Sequence, residues 1–130
     1  MSWRSLTRQR EFKEVYERGI KKVGRFLVVY LFAADDLAYG VVASRKVGKA
    51  VRRNRAKRLL REARRLGILG SPEGVAGIRA RFFPDSGKGP AAEPGPAGLW
   101  VVLVARQAIL EASSRDVTAE LDRLLDGSGG

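Results

Sequence analysis

Ser44-Arg45-Lys46-Val47-Gly48-Lys49-Ala50-Val51-Arg52-Arg53-Asn54-Arg55-Ala56-Lys57-Arg58-Leu59-Leu60-Arg61-Glu62-Ala63-Arg64-Arg65 is the stretch from which the rest of the chain is read. From Arg45 to Arg65 it holds eleven basic residues and one acid, Glu62. The whole chain of 130 residues carries 25 Lys and Arg against 14 Asp and Glu, a net charge of +11. Outside this stretch the charges nearly cancel, so the excess is local and its natural partner is a polyanion. On a helix, Ala56, Leu59, Leu60, Ala63 and Leu66 share one apolar arc, while Arg53, Lys57, Arg58, Arg61, Arg64 and Arg65 cover the other side. A helix merely solvated by its charges would interleave acids at i,i+4 spacing, and this one does not. One face is therefore expected on a core and the other on nucleic acid.

Working outward, the helix is expected from about Ala50 to Leu66, with Gly48 allowing a tight turn before it and Gly67 as its stop. Upstream, Thr7 or a neighbour opens a short helix in which Phe12, Val15 and Tyr16 recur at i, i+3, i+4, ended by Gly19. Two strands follow, Val23 to Ala34 and Tyr39 to Ser44, expected to pair antiparallel across Asp35-Asp36. In the first, Phe26, Val28, Tyr30 and Phe32 alternate with Leu27, Val29 and Leu31, so both faces of the sheet should be covered. Downstream, Leu99 to Ala105 reads as a fully buried strand, and Ser113 or Ser114 starts a last helix bearing Val117, Leu121, Leu124 and Leu125.

Between them, residues 70–98 hold all five prolines and seven of the fifteen glycines, which reads as an irregular insertion in a single domain spanning 1–130. Its centre, Ile78 to Phe83, mixes bases with aromatics, but a surface loop is the plainer reading. The Gly127–Gly130 tail is expected to fray. The resulting order, helix-strand-strand-helix-strand-helix, is an α+β sandwich around a small sheet.

Composition narrows the chemistry. Without histidine or cysteine the chain lacks the usual general base, the commonest zinc ligand, thiolate sites and disulfides. Glu11, Glu14 and Glu17 read as a solvated helix face and Asp35-Asp36 as turn chemistry, so neither forms a convergent metal site. The longest apolar run, Phe26 to Ala34, is too short to span a bilayer, and no secretory signal opens the chain, so a cytoplasmic location is expected.

The segment Ser44 to Ala63, with Arg53-Asn54-Arg55 followed by Lys57-Arg58-Leu59-Leu60-Arg61-Glu62-Ala63, closely resembles the RNR signature of the bacterial ribonuclease P protein subunit. The likeness continues through Glu11 to Gly19, Arg25 to Tyr30, Gly40 to Lys46 and Trp100 to Arg106, leaving out 70–98 and the tails. The resemblance implies the ribosomal protein S5 domain 2-like fold, whose βαβ crossover is left-handed against the general preference. It also implies a protein that assists a catalytic RNA in removing the 5′ leader of precursor tRNA. The phosphodiester chemistry then belongs to the RNA, with Mg²⁺ held mainly by RNA, and no catalytic residue or resident metal is expected in this chain.

Carried over by residue, the resemblance assigns Phe12, Tyr16, Tyr30, Lys57 and Arg61 to a cleft for the single-stranded leader. Stacking plus charge tolerates any base sequence. The same spacing of Phe12 and Tyr16 also suits a plain core-facing stripe, with Val15 as an alternative anchor. Docking on the ribonuclease P RNA falls to Arg45, Lys46, Arg53, Asn54, Arg55, Arg58 and Arg65. Guanidinium forks grip phosphate bidentately. Asn54 makes either a shaped contact, to RNA or to a metal-bound water near it, or a helix N-terminal hydrogen bond. The alternatives are a basic ribosomal or other structured-RNA-binding protein, and a DNA-binding module with its helix in the major groove. The aromatic first helix and the RNR spacing argue against both, and no DNA or membrane partner is expected.

Overall fold

The computed structural model describes residues 1–84 and 98–126. Its elements are β1 (Arg4–Ser5), α1 (Gln9–Arg18), β2 (Ile20–Val23), β3 (Leu27–Ala34), β4 (Leu37–Val42) and α2 (Ala50–Leu66). A 3-10 turn (Ile68–Gly70), α3 (Pro72–Phe82), β5 (Gly98–Ala105), a 3-10 segment (Gln107–Glu111) and α4 (Ser114–Leu125) complete the described chain. The expected α+β frame is present, and β1, β2 and α3 are additions to it.

The basic helix has the bounds its sequence dictates. Gly48 sits at φ +142°, in the region that favours glycine, and a Cβ there would lie 2.7 Å from Arg52 Cδ. At the far end the Gly67 N–H returns to the Ala63 carbonyl at 3.0 Å. Ala56, Leu59, Leu60 and Ala63 are buried as expected, but Leu66 is 57% exposed. Leu69, on the following turn, enters the core instead.

Two strand expectations are corrected. The apolar run Val23–Ala34 is not one strand, because the chain folds back at Gly24 and β2 pairs antiparallel with β3. The Glu120 carboxylate of α4 fixes that bend, accepting N–H bonds from Arg25 (2.6 Å), Phe26 (2.8 Å) and Leu27 (3.1 Å). These charge-assisted bonds compensate the burial of a carboxylate that has only 4% of its side chain exposed. Nor do β3 and β4 pair with each other. The sheet order is β1-β4-β5-β3-β2, with β5 antiparallel to β3 and parallel to β4. β5 is apolar on both faces, with Leu99, Val101, Val102 and Leu103 fully buried, and a central position is where such a strand loses least to water. The Leu99 N–H donates to the Asp36 carbonyl at 2.9 Å, so β5 begins where a hairpin turn would have closed. β4, α2 and β5 form the parallel crossover.

Side-chain alternation divides the core in two. Leu27, Val29, Leu31, Leu99, Val101 and Leu103 face Leu59, Leu60, Ala63 and the α4 residues Val117, Leu121 and Leu125. On the other face Val102 and Ala38 pack with Val15 of α1, and Phe12, Tyr30, Phe32, Val42, Trp100 and Val104 remain partly exposed around them. The second face is therefore only partly covered, because one ten-residue helix lies on it.

The reading of 70–98 as irregular is also corrected over its first part. Ser71 caps α3 by accepting the Gly74 N–H, Pro72 occupies the first turn, and Val75 and Ile78 are buried. Arg79 donates to the Gly98 carbonyl, and Arg81 to the Leu125 carbonyl at 2.6 Å. The two core contacts, three residues apart among glycines, leave too faint a period to read. Residues 85–97 of the expected insertion, and the 127–130 tail, lie outside the described residues.

Candidate nucleic-acid interface

Three charged or aromatic surfaces emerge from this arrangement. The first is α2 with the turn before it. Arg45, Lys46, Asn54, Arg55, Arg58 and Arg65 are exposed, as is Arg61, while Arg53 and Lys57 are half-buried. Among the described residues none of these bases belongs to an ion pair. The helix start compounds the charge: its first turn has no acid, and Lys49 at the cap position offers no side-chain hydrogen bond. The positive end of the helix dipole thus coincides with positive side chains, a potential that only an external anion relieves. Beside it, Arg52 and Arg55 line a groove of about 390 Å³ with Gln107, Leu110 and Glu111.

Arg64 behaves differently from its neighbours. Its guanidinium lies over Tyr39 and Trp3, which themselves meet edge to face at 6.2 Å. It fastens the N-terminal segment to α2.

The second surface is built on the half-covered sheet face. Tyr16 meets Tyr30 edge to face at 4.8 Å, and Phe12 lies 6.4 Å from Tyr16. Phe12 can lie flat on β4 because residue 40 is glycine, where a Cβ would stand 2.6 Å from Phe12 Cε1. Burial, and secondarily Tyr30, push the Tyr16 hydroxyl pKa up. Register places Lys21, Tyr30, Val102 and Gly40 in one cross-strand row and Val23, Val28, Val104 and Val42 in the next. The rings therefore stand at the rim of an apolar floor, and a groove of about 780 Å³ follows α1 past Arg10, Phe12, Lys13 and Tyr16.

The structure gathers Phe12, Tyr16 and Tyr30, whereas Lys57 and Arg61 stand on α2, which packs on the opposite face of the sheet. Beyond β4 the sheet continues only as the two-residue β1, paired with Ala38 and Tyr39. A base that sequence reasoning missed is nearer: Lys21 Nζ lies 5.8 Å from the Tyr30 ring centroid. Only the β2–β3 register, set by the unseen Glu120 contact, reveals it.

The third surface lies across α1. Arg4 donates from Nε to Asp36 (2.5 Å) and from Nη2 to Glu11 (2.9 Å), and its guanidinium sits 5.4 Å from the Trp100 centroid. Glu11 also accepts the N–H groups of Thr7 (3.2 Å) and Arg8 (3.1 Å), capping α1. Asp36 accepts Trp100 Nε1–H at 2.8 Å. The Arg8 N–H and then Arg4 lower the Glu11 pKa, and Arg4 and then Trp100 lower that of Asp36. Both carboxylates, read from sequence as solvated or turn residues, are structural anchors. Among the described residues no three potential metal-ligating side chains converge.

Compared with known proteins, the family model described as Ribonuclease P matches residues 2–80. The chain is similar to the ribonuclease P protein component of Nitratiruptor sp. (49% identical over 57 residues, 44% of this chain and 52% of that protein). It is similar also to that of Thermus scotoductus (42% identical over 89 residues, 62% of this chain and 54% of that protein). The chain thus spans about half the length of these curated relatives. Among solved structures, the ribonuclease P protein of Thermotoga maritima superposes with a TM-score of 0.64 at 26% identity, covering 97% of this chain and 98% of that one. The Staphylococcus aureus protein does so with a TM-score of 0.64 at 20% identity, covering 96% and 94%, a likeness of fold. With the whole RNR segment, the aromatic helix and the first four strands inside the matched region, the chain belongs to the ribonuclease P family.

Proposed function

We propose that this chain is the RNA-binding protein subunit of ribonuclease P, an endoribonuclease that removes the 5′ leader of precursor tRNA. The observation that carries the reading is the uncompensated basic face of α2, anchored on the core by Ala56, Leu59, Leu60 and Ala63 and free of ion pairs among the described residues. Arg53, Arg55, Arg58 and Arg65, with Arg45 and Lys46 of the preceding turn, grip the phosphates of the ribonuclease P RNA, and Asn54 supplies an uncharged contact among them. On the other face, Phe12, Tyr16 and Tyr30 take the single-stranded leader by stacking. Lys21 neutralises its backbone there, and Lys57 and Arg61 of α2 take the leader phosphates that leave the rings.

Cleavage itself belongs to the RNA and its Mg²⁺. Among the described residues no three carboxylates converge on a cation site: Glu11 and Asp36 are both held by Arg4, and Asp116, Glu120 and Asp122 each accept backbone N–H groups elsewhere. The protein's work is to bind and orient: one face fixes it on the catalytic RNA while the other holds the leader and so selects precursor over product. No described helix is long and apolar enough to cross a membrane, and we place the complex in the cytoplasm.

Copurification tests the reading. The tagged chain should carry one structured RNA of a few hundred nucleotides, and reconstitution with it should lower the Mg²⁺ or salt demand of leader removal. Recovery with ribosomal subunits would instead make it a ribosomal protein, and preference for duplex DNA a DNA-binding module.

A further inference from the structure

The sheet face that carries the aromatic cleft has a second exposed aromatic site on the far side of α1. α1 lies over the row containing Gly40, Val102 and Tyr30, which leaves the row of Ala38, Trp100 and Phe32 flanking it. Phe32 and Trp100 are 5.7 Å apart and tilted by 40°, both only partly buried. They floor a groove of about 610 Å³ whose other walls are Arg4, Thr7, Arg8, Arg10, Glu11 and Glu14.

The charges of this groove are sorted. Glu11 is taken up by Arg4 and the start of α1, Glu14 by Arg18 at 2.9 Å, and Asp36 by Arg4 and Trp100. Arg4 in turn lies over the indole, 5.4 Å from its centroid, and is fixed there by Asp36 and Glu11, a guanidinium of the kind on which bases stack. Arg8 and Arg10 are exposed and outside every ion pair among the described residues, so the free charge at the mouth is positive. Arg10 also lines the groove beside Phe12 and Tyr16, which makes the two sites continuous over α1.

We propose that Phe32, Trp100 and the clamped Arg4 form a second stacking subsite for single-stranded RNA, taking a nucleotide of the leader farther from the cleavage point than those held by Phe12, Tyr16 and Tyr30. Arg8 and Arg10 contact the phosphates between the two subsites. The inference rests on the leader-binding role proposed above and extends it from one cleft to a track crossing α1.

The test uses the holoenzyme reconstituted with its RNA and precursor tRNAs whose leaders increase in length. The wild type should gain affinity twice as the leader lengthens, once on reaching each subsite. Phe32→Leu and the exposed variant Arg8→Gln should abolish the second gain, on the order of ten-fold for a lost stacked base, while short-leader precursors bind as before. In a Trp3→Phe background, Trp100 is the remaining tryptophan, and its emission should be quenched only by the longer leaders. A single gain in the wild type, equal losses at all lengths in both variants, or emission indifferent to leader length each overturns the second subsite. Failure of the leader cleft itself reads differently: precursor and mature tRNA would then respond alike to Phe12→Ala.

Discussion

The guanidinium of Arg64 lies 4.6 Å from the centroid of the Tyr39 ring, and 5.5 Å from that of Trp3. Its Nε is buried without a hydrogen-bond partner, so what holds it is the two ring faces and the packing of its stem. Arg64→Ala should therefore lower stability by about 1–2 kcal/mol in thermal or urea unfolding. It should leave the salt dependence of RNA binding nearly unchanged.

Arg58, exposed on the same helix, should give the opposite pattern. Arg58→Ala and Arg55→Ala are expected to unfold like the wild type but to flatten the plot of log affinity against log salt by about 0.7–0.9 per lost phosphate contact. Titrations with the ribonuclease P RNA at several salt concentrations measure this. Unchanged slopes in both would remove α2 from the interface.

Phe12→Ala should weaken precursor tRNA binding by the holoenzyme by about 1–3 kcal/mol and spare mature tRNA, which has no leader. Gly40→Ala approaches the same contact from beneath, since its new methyl would stand 2.6 Å from the Phe12 ring and force it to move. The same selective loss is expected, provided circular dichroism finds both variants folded. Equal loss for the two tRNAs would assign Phe12 to the core.

Acid should loosen the clasp made by Arg4. Glu11 and Asp36 have pKa values lowered in the fold, so they bind protons less readily there than in the unfolded chain. Their contribution is complete above the unfolded carboxylate values near 4 and is lost as the pH falls through the lower folded ones. Arg4→Gln should make urea midpoints fall less between about pH 5 and 3 than in the wild type.

Ile78→Ala should cost about 2–5 kcal/mol, because Ile78 is fully buried on the inner face of α3. A loss below about 0.5 kcal/mol would mean that α3 is dispensable.

What the sequence made legible was whatever local period or punctuation encodes. The bounds of α2 follow from Gly48, the apolar arc and Gly67, and those of α4 from Ser113 and its leucines. Phe12, Tyr16 and Tyr30 lie side by side, which the period of α1 alone gives for the first two. The pairing of β5 between β3 and β4 was not legible, since partners such as Tyr30 and Val102 are far apart in the chain and no local pattern specifies them. The same holds for Glu120, whose surroundings on α4 give no hint of the three N–H groups it caps. Asp36 stands in the β3–β4 bend as its sequence suggests, but its bond to Arg4, and the burial of Glu11 by the same residue, were not legible because Arg4 lies in a segment without helical or strand period.

The central place of β5 sets an order of events during synthesis. Until Gly98–Ala105 leaves the ribosome, β3 and β4 each lack their chief neighbour, and the scaffold under α2 has no middle. A nascent chain of residues 1–80 carries the whole cationic helix yet exposes two unpaired strand edges, a state prone to sticking and slow to resolve because its closing contacts are distant in sequence. Binding competence should therefore appear late and all at once, when the last strand slides between β3 and β4, and any fragment ending before it should aggregate with RNA rather than recognise it.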